Sequence, residues 1–116
     1  MIETALAELS ELGYLDDARY ARVFAEDKRN LEQWGRDRIE RALRERGVDR
    51  ELVARAVAND EAGAELDRAV AILTRRFPGG PGERRDRERG FGMLIRKGYE
   101  SELATDAVKR WSERAS

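Results

Sequence analysis

Gly47-Val48-Asp49-Arg50-Glu51-Leu52-Val53 and, 51 residues further on, Gly98-Tyr99-Glu100-Ser101-Glu102-Leu103-Ala104 follow one pattern: glycine, apolar residue, acidic residue, then a new apolar stripe. The match extends outward, with Leu43 falling on Leu94, Arg46 on Lys97, Ala56 on Ala107 and Val57 on Val108. A glycine in the left-handed conformation ends a helix, and the apolar residue after it folds back onto the last turn. The acidic residue then opens the next helix, where a carboxylate accepts from free amides and meets the positive end of the helix dipole. Gly13-Tyr14-Leu15-Asp16 predicts a third such turn. Gly13, Gly47 and Gly98 are therefore assigned to structural turns, with Asp16 and Asp49 as caps and Tyr14 and Tyr99 as packing residues.

Between these turns the apolar residues recur at helical spacing, and no stretch alternates with period two. Helices are predicted over 2–12 (Ile2, Leu6, Leu9, Leu12), 17–30 (Tyr20, Ala21, Val23, Phe24), 36–46 (Ile39, Ala42, Leu43) and 49–58 (Leu52, Val53, Ala56, Val57). Three more follow: 64–77 (Leu66, Ala69, Val70, Leu73, Phe77), about 83–97 (Phe91, Met93, Leu94, Ile95), and a last helix with Leu103, Ala104, Ala107, Val108 and Trp111. Both prolines lie in Pro78-Gly79-Gly80-Pro81-Gly82, read as a flexible connection. It lacks the Gly-Lys-Ser/Thr ending of a phosphate loop. Short helices are marginal alone and must bury their stripes against one another. The expectation is an all-α protein of tandem three-helix repeats in an elongated, slightly curved array of about seven helices. Residues 2–12 form the last helix of an incomplete first repeat, 14–60 a complete repeat, and 61–116 a second one containing the 78–82 loop. The chain is thus expected to begin inside a repeat, either as a piece of a longer protein, the favoured reading, or as a short homologue.

The chain of 116 residues contains neither cysteine nor histidine. Disulfides, thiolate metal sites, the usual general base and the commonest transition-metal ligand are all excluded. Adjacent Asp16 and Asp17 could hold a divalent metal, but paired carboxylates at a helix start are more often caps. No cofactor and no catalysis are expected. No apolar run is long enough for a membrane helix, and the chain has no signal-peptide pattern at its start, so a cytoplasmic protein without membrane contact is the default. Net charge is −1, yet residues 18–46 carry +3 and 68–99 carry +6 between acidic stretches. Of the 23 cations 20 are arginine, which suits bidentate contact with carboxylates or phosphates.

The run Leu9-Ser-Glu-Leu-Gly-Tyr-Leu-Asp-Asp-Ala-Arg-Tyr20, then Trp34-Gly35-Arg36-Asp37-Arg38-Ile39, Ala42-Leu43 and Arg46-Gly47-Val48, resembles the RecX family of bacterial RecA regulators. The resemblance covers essentially the whole chain. It departs at Arg36, where the family often has proline, and in lacking the first two helices of the first repeat. The resemblance implies tandem three-helix repeats. It also implies a non-enzymatic protein that binds the RecA filament on DNA in its helical groove. There it would modulate recombination, ATPase and coprotease activities in DNA repair and the SOS response.

An extended row of helices offers a long surface rather than a pocket, which suits a filament groove. The candidate partner-binding residues are Arg36, Arg38, Arg41 and Arg44 on one helix and Arg84, Arg85, Arg87 and Arg89 on another. Many have an acid four residues away (Glu40 and Arg44, Asp37 and Arg41, Glu83 and Arg87), so a merely solvated, self-paired face is the competing account. Trp34 is read as a packing staple and Trp111 as core. A second functional reading is a helix-turn-helix-like nucleic-acid-binding module, touching single- or double-stranded DNA. The near-neutral net charge argues against strong binding to bare DNA. A monomer is expected, with a dimer possible if the stripe on 2–12 finds no cover within the chain.

Overall fold

The computed structural model describes the backbone of residues 2–115 and the side chains of residues 13–114. Among the described residues there are six α-helices and no strand: α1 (Ile2–Asn30), α2 (Arg36–Glu45), α3 (Arg50–Ala58), α4 (Ala64–Arg76), α5 (Arg84–Lys97) and α6 (Ser101–Ala115). The chain is elongated, 69 × 22 × 20 Å.

The repeated turn has one geometry in both copies. Gly47 lies at φ 80° and Gly98 at φ 101°. Gly47 N–H donates to the Arg44 carbonyl (3.0 Å) and Val48 N–H to that of Leu43 (3.1 Å); Gly98 and Tyr99 do the same with Ile95 (3.0 Å) and Leu94 (3.1 Å). The last carbonyls of α2 and α5 are thus satisfied as the apolar residue folds back. Downstream, the Asp49 carboxylate accepts from Glu51 N–H (3.4 Å) at the start of α3.

Gly13 corrects the expectation of seven helices. It lies inside α1, which runs unbroken through Asp16 and Asp17, so these residues neither turn nor cap. The physical reason is tertiary. A left-handed stop is rewarded when the following apolar residue gains a surface to fold onto, but here Tyr14 and Leu15 are exposed. Helical hydrogen bonding then continues through glycine at a cost of about 1 kcal/mol. The apolar stripe expected on residues 2–12 lies outside the described side chains.

Two hydrophobic clusters form. The first gathers Ala21 and Ala25 of α1, Ile39 and Leu43 of α2, and Val53, Ala56 and Val57 of α3, with Phe24, Trp34 and Val48 packed against them. The second gathers Ala69, Val70, Ile72 and Leu73 of α4, Leu94 of α5, Tyr99, and Ala104, Ala107 and Trp111 of α6. The pairing is the same in both: α3 packs on α1 and α2, and α6 on α4 and α5. Leu43 and Leu94, equivalent by the repeat, are fully buried. Each such side chain contributes about 1.5–3 kcal/mol. Gly90 stands where the repeat has Ile39, and Trp111 of α6 and Leu73 of α4 fill the space beside it.

Candidate binding surface

Two contacts join the halves of the chain and so set how their arginines are presented. At the first, Gly35 N–H donates to the Lys97 carbonyl (2.9 Å) and Asp37 N–H to the Gly98 carbonyl (3.0 Å), laying the start of α2 on the α5–α6 turn. The buried Tyr99 adds a hydrogen bond from its hydroxyl to the Gln33 carbonyl (2.9 Å). Burial outweighs the opposing charge of Arg68 and pushes its phenol up to about 12. Asp37 is raised above its ordinary value by burial and by Glu100 and Glu40, against the pull of Arg36 and Arg41.

At the second contact, Arg29 of α1 is only 5% exposed. It donates to the carbonyls of Ala56 (3.2 Å) and Asn59 (3.2 Å), capping the end of α3, and reaches Asp60 at 3.5 Å. Arg68 of α4 meets the same carboxylate at 2.6 Å. Burial alone would raise Asp60, but the hydrogen bond and charge of Arg68, with the charge of Arg29, hold its carboxyl below the ordinary range. One carboxylate thereby ties α1 and α4 together through the linker.

The structure divides the eight candidate arginines. Arg36 belongs to the first junction: its backbone N–H donates to Glu65 Oε1 (2.9 Å) and its side-chain Nε lies 3.8 Å from Glu100 Oε1. Arg38 stacks on the Trp34 ring, 4.0 Å from the centroid. Arg41 is exposed, with Asp37 as its electrostatic neighbour. Arg44 pairs with Glu40 (3.5 Å), as its spacing predicts, and Arg84 with Glu88 (3.2 Å); Glu83 and Arg87 form no ion pair. Arg85 and Arg87 are exposed, and Arg89 sits 5.8 Å from the Phe77 ring centroid. Exposed i,i+4 pairs are weak, so Arg44 and Arg84 remain available to a partner.

Sequence reasoning missed Arg29, Asp60 and Arg68, together with the contact of Gly35 on Gly98. It also missed a group of cations over aromatic rings: Lys28 lies 4.8 Å from the Trp34 centroid, and Arg46 lies 4.6 Å from that of Phe24. Trp34 is half-buried against the first cluster, so it packs and also carries cations. Among the described residues no group of three or more His, Cys, Asp or Glu could hold a metal ion, and no helix is long and apolar enough to cross a membrane.

Repeated helical units joined end to end, with glycine stops and an arginine-rich exterior, define the class: an all-α tandem-repeat protein. The family model described as RecX, second three-helix domain, matches residues 16–57. Over 116 aligned residues the chain is 30% identical to regulatory protein RecX of Mycobacterium sp. (strain JLS), covering 93% of this chain and 62% of that protein. It is 30% identical to the Deinococcus radiodurans protein of the same name, covering 97% and 53%. It is 34% identical to that of Trichlorobacter lovleyi, covering 87% and 68%. The chain belongs to the RecX family. It spans between about half and two-thirds of the length of these relatives. No solved structure matches it.

Proposed function

We propose that the chain is a non-enzymatic, cytoplasmic regulator that docks in the helical groove of the RecA filament on DNA and restrains its ATPase, recombination and coprotease activities. Kinship with RecX proteins along nearly the whole chain carries this reading. The shape supports it, because a 69 Å rod presents a continuous face to several subunits of a filament, as repeat arrays do. The two inter-half junctions support it too, since a fixed angle between the halves lowers the entropy lost on docking along a groove. Arginines that are exposed or only weakly paired provide donors for acidic loops or for phosphates within the filament.

The test is ATP hydrolysis by RecA filaments preformed on single-stranded DNA, with increasing amounts of the chain. The expected result is inhibition at sub-stoichiometric to stoichiometric ratios. Unchanged hydrolysis, also with the longer protein, would sink the proposal. For the nucleic-acid-binding alternative, tight binding to bare DNA with a steep negative salt slope is the diagnostic outcome.

A further inference from the structure

One exposed region combines apolar surface with cations that have no acid of their own. Tyr20, Phe24 and Lys28 are four residues apart on α1 and so share a helix face. The Tyr20 and Phe24 rings are 6.0 Å apart, and Trp34 meets Phe24 edge-on at 6.3 Å. Three cations lie over these rings: Lys28 over both Phe24 (5.5 Å) and Trp34 (4.8 Å), Arg38 over Trp34 (4.0 Å) and Arg46 over Phe24 (4.6 Å). Among the described residues none of the three forms an ion pair, whereas Arg29, Arg36, Arg44, Arg55, Arg68 and Arg84 all do. Tyr20 (46% exposed) and Val23 (42% exposed) continue the patch as apolar surface.

We infer that this cation-and-aromatic patch on α1 and α2 is the docking surface for an acidic protein segment bearing an apolar anchor. The inference rests on the filament-docking reading above and specifies which face makes the contact. Arg38, over Trp34, makes no side-chain hydrogen bond among the described residues, so its N–H fork is open to a carboxylate, while Arg46, over Phe24, donates one Nη1–H to the Ala42 carbonyl (3.0 Å) and keeps its other donors. The ring also limits the side chain's motion before binding, so less entropy is lost when the carboxylate arrives. Trp, Tyr and Arg together are the residues that dominate binding energy at protein interfaces. Charge complementarity requires an acidic partner, and the exposed Tyr20 and Val23 require an apolar one beside it. A nucleic-acid base needs an open ring face, but the Phe24 and Trp34 rings are each approached by two cations. The chain's net charge of −1 further disfavours a bare polyanion.

Fluorescently labelled chain titrated against RecA assembled on oligo(dT), and against oligo(dT) alone, tests this. The variant is the double charge reversal Arg38→Glu with Arg46→Glu, both exposed positions. The control is Lys109→Glu with Arg110→Glu on the exposed face of α6, which makes the same change in net charge. Thermal melting of each variant verifies the fold, and Tyr20→Ser tests the apolar part without changing charge. The inference expects the double reversal to weaken filament binding at least about tenfold and Tyr20→Ser to weaken it by several-fold, with the control within about twofold. Filament binding by the double reversal and Tyr20→Ser at wild-type strength overturns the inference while leaving the filament-docking reading intact. A wild-type chain that ignores the filament overturns both. If the double reversal abolishes binding to oligo(dT) alone to the same extent, the patch is a nucleic-acid site and the inference is wrong.

Discussion

Gly35 and Gly98 meet backbone to backbone across the junction between the two hydrophobic clusters. A Cβ on Gly35 would overlap the Gly98 carbonyl and the Tyr99 nitrogen, and one on Gly98 would overlap Arg38. Gly98 also has to hold φ 101°. Left-handed strain and overpacking therefore act together at Gly98→Ala, which is expected to lose about 2–4 kcal/mol in urea denaturation. Gly47→Ala meets the same strain at φ 80° with open space around its Cβ, and should lose only about 1 kcal/mol. Equal losses at the two positions would show that the junction contributes nothing.

Gly13→Ala should act in the opposite direction. Gly13 lies within α1 with nothing within 4 Å of a Cβ, so alanine removes the helical penalty of glycine, about 1 kcal/mol. Circular dichroism is expected to show unchanged or greater helicity and a melting temperature that does not fall. A destabilised variant would mean that the chain does turn at Gly13.

Asp60→Asn leaves Arg29 buried without its carboxylate and separates α1 from α4. A loss of about 2–3 kcal/mol is expected, below that for a fully buried pair because Asp60 retains some solvent. The pH dependence follows from the lowered carboxyl. A depressed folded-state value stabilises the protein above the ordinary value of 3.8, and this stabilisation is lost as pH falls through the lower folded value. The wild-type stability curve should therefore fall more steeply than that of Asp60→Asn below about pH 4. Parallel acid limbs in urea titrations would contradict the bridging role.

Tyr99→Phe removes one hydroxyl and leaves the Gln33 carbonyl without its donor, at a cost of about 1–2 kcal/mol. In a spectrophotometric titration of the folded wild type, one tyrosine should ionise only near the value of about 12 to which burial pushes Tyr99. The Phe variant should lack that step. A variant as stable as the wild type would place the Tyr99 hydroxyl in water.

Local chemistry was legible in the sequence and long-range contact was not. The Gly-apolar-acidic turns at Gly47 and Gly98 and the helices around Leu43, Leu73 and Leu94 follow from periodicity and helix-stop rules that involve neighbours within a few residues. Gly13-Tyr14-Leu15-Asp16 carries the same local pattern, but Tyr14 and Leu15 have no surface to fold onto, and no local rule contains that information. Arg36 looked like a free cation because Glu100, the carboxylate that pairs with its guanidinium, is far away in sequence. Arg29 and Arg68 were invisible for the same reason, since what unites them is a linker carboxylate brought between two helices. The patch of Lys28, Arg38 and Arg46 arises only when α1 and α2 pack and bring Phe24 against Trp34.

Co-sedimentation with RecA filaments formed on single-stranded DNA, with the same DNA alone as control, tests the central claim most directly. The chain is expected to enter the pellet with the filament in saturable proportion to RecA and to stay in the supernatant with bare DNA. Equal recovery with bare DNA, or none with the filament, would contradict docking on RecA.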